Sequence, residues 1–118
     1  MIKSFRDLLV WQKSMDMVLE VYRLVKKLPK EELYCLSSQL RRSAVSVPSN
    51  IAEGQQRKST REFINFLSIA RGSNAEVQTQ LLICNGLNYL SKQEIQTAMQ
   101  LTDEIGRMLN AIIDKLSV

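Results

Sequence analysis

The chain contains no histidine. That removes the commonest metal ligand and general base, every histidine-based triad, and the Glu-x-x-His pairs from which di-iron sites in helical bundles are built. Four glycines, two prolines and 6% aromatics are few for a β-sandwich in 118 residues, and point to an all-α chain. No apolar run reaches the roughly 18 residues of a membrane span. Lys3, Arg6 and Asp7 interrupt the opening MIKSFRDLLVWQKS, where a signal peptide would need an apolar core, so a cytoplasmic protein without membrane contact is expected. Neither a P-loop nor a dinucleotide-binding glycine pattern is present. The two cysteines, Cys35 and Cys84, lack an obvious activating base. They are expected as free, mostly buried thiols at different heights of the fold, too far apart to bridge. The expectation is a protein with no catalytic residue, no metal and no cofactor.

What is present is helical periodicity. With 45% apolar residues the chain suits one domain around one continuous core. Leu8, Trp11, Met15, Val18, Tyr22 and Val25 recur at alternating spacings of three and four and predict a helix over about 7–27, with Pro29 forbidding continuation. A second helix, about 33–54, presents Leu33, Leu36, Leu40, Ala44, Val47 and Ile51 as its seam, with Gly54 as a C′ glycine. A third, about 59–88, opens on a Ser59/Glu62 capping box and carries Phe63, Phe66, Leu67, Ala70, Val77, Leu81 and Cys84 inward. Asn74 on that seam is a buried-polar candidate. The fourth, about 91–116, opens on a Ser91/Glu94 box. Short connections predict an up-down-up-down antiparallel four-helix bundle.

Two features exceed what a monomeric bundle needs. Helix 2 carries Pro48 in its interior, which should cost about 3 kcal/mol unless packing compensates, and a strip of small residues around Val45, Pro48 and Ala52. Helix 3 is apolar on nearly three sides, with Ile64 and Leu82 on one flank and Ile69 and Ile83 on another, and Gly72 and Ser73 are expected to admit a close backbone approach. A helix apolar all round is normally covered on all sides, so self-association is expected.

Sixteen Lys and Arg against twelve Asp and Glu leave +4, a balance that favours polyanionic partners without demanding them. Lys3, Arg6, Arg57, Lys58 and Arg61 collect at the pole where the chain start meets the helix 2 to 3 turn, with Arg41, Arg42 and Arg71 higher up, Arg42 level with Arg71. A polar loop beside helix N-terminal amides suits phosphate. The competing reading is a solvated surface in which Arg57 or Arg61 pairs with Glu53 or Glu62 in weak exposed bridges. Trp11 and Tyr22 read as packing residues rather than base platforms. Glu53 and Glu76 are too far apart along the bundle to form an acid/base pair.

FRDLLVWQKSMDMVLEVY near the start, LSSQLRRSAVSVPSNIAEG in helix 2, STREFINFLSIARGSNAEVQTQL in helix 3 and LNYLSKQE before helix 4 together resemble the four-helix bundle proteins of the 23S rRNA-intervening sequence family. The resemblance covers nearly the whole chain in order, and SxPSNIAEG followed by GSxxE is not generic bundle composition. It implies a bacterial homopentamer of four-helix bundles. Related accessory variability proteins of diversity-generating retroelements are basic pentamers that bind nucleic acid and a reverse transcriptase, and they are more basic than this chain. Arg41 and Arg42 match the family's paired basic positions. Ser49, Asn50, Glu53 and Gly54 match SNIAEG, and Gly72, Ser73 and Glu76 match GSxxE. Asn74 stands where many relatives place leucine, and the family offers no catalytic residue to carry over.

The functional expectation is therefore a non-enzymatic homo-oligomeric scaffold, a pentamer by resemblance, that binds RNA, DNA or a ribonucleoprotein partner such as a ribosomal component or reverse transcriptase through basic surfaces. The alternative is a structural adaptor that binds itself and a protein partner, with no direct nucleic-acid role.

Overall fold

The computed structural model describes residues 4–118. Four helices, α1 (Leu9–Val25), α2 (Leu36–Gln55), α3 (Thr60–Gly86) and α4 (Lys92–Leu116), follow a single 3-10 turn at Phe5–Asp7, and a second such turn, Lys30–Glu32, precedes α2. Among the described residues there is no strand. The helices pack in a closed ring, each against its chain neighbours and α1 against α4, with no close backbone approach between diagonal helices among the described residues. Cross-helix pairs fix their direction. Lys13 meets Glu104 at 3.4 Å and Lys27 meets Glu94 at 3.1 Å, while Ser46 meets Ser73 and Ser43 meets Gln80. Gln78 reaches Asp103 as Arg71 reaches Asn110. Every adjacent pair is antiparallel, and the bundle measures 43 × 24 × 20 Å.

The α1 core stripe differs from the expected seam. Val10, Ser14, Met17, Val21 and Leu24 are buried, whereas Met15 and Tyr22 are exposed and Trp11 and Val18 half-buried. Both stripes have the three-four spacing, so periodicity alone cannot choose between them. Ser14 interrupts the true one, and it tolerates burial because its hydroxyl donates to Trp11 O at 2.7 Å. Of the expected stripe Val25 is buried and Leu8, Trp11 and Val18 pack on the edge of the core, while Met15 and Tyr22 lie at the surface beside α2.

Helix 2 begins at Leu36, three residues later than expected, and Leu33 is exposed. Pro29 starts a 3-10 turn instead, and the Glu32 carboxylate accepts from Leu36 N at 3.3 Å, standing in for the side-chain cap that Cys35 does not provide. Pro48 is buried inside α2. It has no N–H for the Ala44 carbonyl, but beside it Asn50 Nδ2 donates to Ser46 O at 2.8 Å and to Ser46 Oγ at 2.9 Å, and Ser46 bonds Ser73 at 2.8 Å. This polar clasp joins α2 to α3 where the proline weakens the helix.

Two glycines exchange their expected roles. Gly54 is not a C′ residue, since α2 continues to Gln55 and no glycine has positive φ. A Cβ there would lie 2.7 Å from Phe66 Cβ and 3.0 Å from Phe63 Cδ1, so Gly54 is a point of close approach between α2 and α3. Gly72, expected to admit a close approach, has nothing within 4 Å of a Cβ position and lies at the surface.

Helix 3 shows half of its expected box. Ser59 Oγ accepts from Glu62 N at 3.1 Å, but Glu62 returns to the Ser59 hydroxyl and not to its backbone. Helix 4 has the full box with Glu94, and that hydrogen bond to Ser91 N, reinforced by Lys27, holds the Glu94 carboxyl below its ordinary range. Between them Asn88 takes the left-handed conformation at φ 63°, which asparagine tolerates better than most residues.

Asn74 is buried as expected. Its Nδ2 donates to Thr102 O at 2.8 Å, and its Oδ1 has no partner among the described residues. Cys84 is fully buried, and burial pushes its thiol up to about 11, with help from the Glu32 charge. Cys35 is exposed, contrary to expectation, because it precedes the helix start. The two cysteines are also not at different heights. They lie equally far outward from the Ser46–Ser73 contact, at the pole where Tyr89 donates to Glu32 at 2.9 Å, and both are free.

Candidate nucleic-acid interface

The expected basic cluster divides into groups with different surroundings. Arg57 is occupied: its guanidinium lies 3.4 Å from Glu53 and 3.6 Å from Glu62 and stacks over Phe66 at 4.9 Å from the ring centre. Of its neighbours, Lys58 and Arg61 are exposed on the same turn with no ion pair among the described residues. Arg6 lies over the Phe5 ring at 5.0 Å, which in turn meets Trp11 edge-on at 5.3 Å. Lys3 falls outside the described residues. Arg71 donates to Asn110 on α4 at 3.0 Å and is not grouped with Arg42, which lies beside α1.

Arg41 and Arg42 stand apart. Among the described residues, neither has a carboxylate within ion-pair distance. Both line an open cleft of about 450 Å³ with Tyr22, Ser38, Val45 and Ser46. Arg41 also borders a second cleft of about 260 Å³, bounded by Lys26 and Lys30. Helical spacing explains the convergence: Ser38, Arg42 and Ser46 follow one another at four residues on α2, Ser38, Arg41 and Val45 at three and four, and Tyr22 and Lys26 at four on α1. The result is a partly concave basic face at the α1–α2 end. The sequence reading missed Tyr22, Lys26, Lys30 and Ser38, having assigned Tyr22 to the core and Lys26 to the helix dipole. The signal available was the contiguity of Lys26, Lys27 and Lys30 with a helix reversal that folds them back beside Arg41.

The packing candidates form two separate surfaces. Val45, Pro48, Ser49 and Ala52 face Trp11, Met15 and Val18 across a groove of about 300 Å³, so the surplus α2 strip and these three α1 residues are one apolar surface, with Tyr22 in the separate cleft beside it. On α3, Ile69, Gly72, Glu76 and Ile83 share one strip at helical spacing; Gly72, Glu76 and Ile83 line a cleft of about 500 Å³ with Leu36 and Gln39 of α2. Ile69 and Ile83 are both exposed. Ser73 is buried against Ser46, Ile64 packs on the core edge, and Leu82 is 54% exposed on the opposite flank. Asn50 belongs to the Ser46 clasp, and Glu53 is held by Arg57. Glu53 and Glu76 are not brought together. Among the described residues, no three Cys, Asp or Glu side chains converge as a metal-binding set. Among them, too, no helix is long and apolar enough to cross a membrane.

A family model described as 23S rRNA-intervening sequence protein matches residues 6–111. The chain belongs to that family. Among solved structures, a crystal structure of an S23 ribosomal protein family member of unknown function from Bacteroides thetaiotaomicron is similar over 89% of this chain and 98% of its own, at 28% identity and a TM-score of 0.83. No curated protein matches. The family match spans Arg41, Arg42 and both apolar surfaces, and the four-helix architecture is thus a property that this chain has in common with a solved relative.

Proposed function

We propose that this protein is a non-enzymatic, self-associating scaffold that binds RNA, DNA or a ribonucleoprotein partner through its basic surface. The observation that carries the reading is the face formed by Arg41, Arg42, Lys26 and Lys30, whose charges have no carboxylate partners among the described residues. Cations left without internal partners are available to phosphates, and their binding releases counterions. The family description, which names an insertion in a ribosomal RNA, is consistent with such a partner. A ribosomal component or a reverse transcriptase is the protein partner that fits this reading.

Self-association is supported by the two non-equivalent apolar surfaces, at α1/α2 and at α3. A ring with head-to-tail contacts needs two different complementary patches on each copy. A pentamer, the number implied by the family resemblance, would carry about +20 from the +4 of each chain. Light scattering at micromolar concentration tests the assembly, and a stable monomer would refute it. Affinity for structured RNA and duplex DNA across a salt series tests the binding. A steep salt slope that flattens when Arg41 and Arg42 are replaced by alanine is expected; no binding at low salt would sink the proposal.

The apolar surfaces also favour a second reading, a protein adaptor without nucleic-acid contact. A partner complex that survives nuclease treatment, together with no affinity for purified nucleic acid, is the outcome that selects it.

A further inference from the structure

The cleft beside Arg41 and Arg42 contains an aromatic ring as well as charge. Tyr22 is 41% exposed at its wall. Ser38, Val45 and Ser46 complete the lining. The other aromatics beside arginines are differently placed. Phe66 lies under Arg57, and Phe5 packs against Trp11 under Arg6; in both places the guanidinium already covers a ring that packs on another side chain or on α2. Tyr22 shares an open cleft with two guanidiniums that have no ion-pair partner among the described residues. The cleft, open to solvent and about 450 Å³, falls within the range of small-ligand sites, and the bases of a duplex, already stacked on one another, have no free face to lay on its wall.

We infer that this cleft receives one unpaired nucleotide of a single-stranded nucleic acid, with the base stacked on Tyr22 and the adjoining phosphates held by Arg41 and Arg42. The neighbouring cleft bounded by Lys26, Lys30 and Arg41 takes the next phosphate along the strand. The inference rests on the polyanion-binding reading above and makes it specific to unpaired strands. Stacking on an aromatic face is tolerant of sequence because every base has one, whereas a purely electrostatic surface does not distinguish a strand with bases from one without. The Ser38 hydroxyl can donate to or accept from a base edge or a sugar, whereas that of Ser46 is already held by Asn50 and Ser73.

The test is fluorescence anisotropy with a labelled dT15 strand, a 15-mer of the same backbone lacking bases, and a 15-base-pair duplex, using the full-length protein. Wild type is expected to bind dT15 roughly 10- to 100-fold more tightly than the abasic strand, the scale of one stacked base. Tyr22→Ala should reduce dT15 binding to the abasic level while leaving the abasic and duplex affinities within about twofold, and Tyr22→Phe should retain dT15 binding. Replacing Arg41 and Arg42 by alanine should weaken dT15 and abasic strands alike and lower the salt slope by about 0.7 for each phosphate no longer neutralised. Equal dT15 binding by wild type and Tyr22→Ala would overturn the inference, as would tighter binding of the duplex than of dT15; either result leaves the broader nucleic-acid reading standing. No binding of any strand at low salt removes both.

Discussion

Gly54→Ala tests the packing of α2 on α3 most directly. The new methyl would lie 2.7 Å from Phe66 Cβ, 3.0 Å from Phe63 Cδ1 and 3.3 Å from the Phe63 carbonyl oxygen. Carbon atoms attract best at about 3.5–4.0 Å, so the first contact is short by most of an ångström. Phe66 Cβ is bonded directly to the α3 backbone, and no rotamer change relieves the clash. The helices must separate beside Phe63 and Phe66, about two turns from the Ser46–Ser73 clasp that holds them together. Overpacking costs about 1–3 kcal/mol, and the backbone-anchored contact puts this case in the upper half. Alanine returns up to about 1 kcal/mol of helix propensity, less here because Gly54 is one residue from the helix end. The net expectation is a loss of about 1–2 kcal/mol, or roughly 4–10 °C in Tm for a chain of this length. Gly72→Ala provides the control. With nothing within 4 Å, the same methyl should raise the stability of the fold by about 0.5–1 kcal/mol. Urea denaturation followed by circular dichroism reads both as shifts in midpoint. A Gly54→Ala midpoint equal to or above wild type would refute the close-approach argument.

Asn74→Leu removes an unpartnered buried acceptor at the loss of one hydrogen bond to Thr102 O; burying an unsatisfied polar group costs about 1–3 kcal/mol, so this variant should be more stable by about 1 kcal/mol, and a fall in urea midpoint would contradict it. With iodoacetamide at pH 8, Cys35 should react quickly and Cys84, whose thiol stands near 11, only on unfolding; Cys35→Ser should abolish the fast phase, as read by mass spectrometry. Because folding raises the Cys84 pKa, its neutral thiol favours the native state below the ordinary thiol range, and that contribution is lost as pH climbs towards 11. Ser91→Ala should cost about 1 kcal/mol through loss of the α4 cap. The lowered Glu94 pKa has the opposite sign: its stabilisation is present above the ordinary carboxylate range and lost as pH falls through the depressed value. A thermal-melt series from pH 7 to 3 with Glu94→Gln as reference measures that loss.

The number, type and approximate limits of the helices were legible in the sequence, because capping residues, Pro29 and three-four apolar spacing act locally. Ser59 and Ser91 mark helix starts whatever packs nearby, and Leu40, Ala44, Val47 and Ile51 can only point one way. Choices between faces were not local. The α1 chain carries two apolar stripes of the same period, and only contact with α2 and α4 decided that Met17 and Val21 go inside while Trp11, Met15 and Tyr22 border a groove. The chemistry of Gly54 and Gly72 is identical in the sequence; the Phe63 and Phe66 side of α3 makes one indispensable and leaves the other open. Charge behaves likewise. Composition determined that four cations are in excess, but pairing is a property of distance, and the fold alone decided that Arg57 is occupied by Glu53 and Glu62 while Arg41 and Arg42, beside Tyr22, have no ion-pair partner among the described residues.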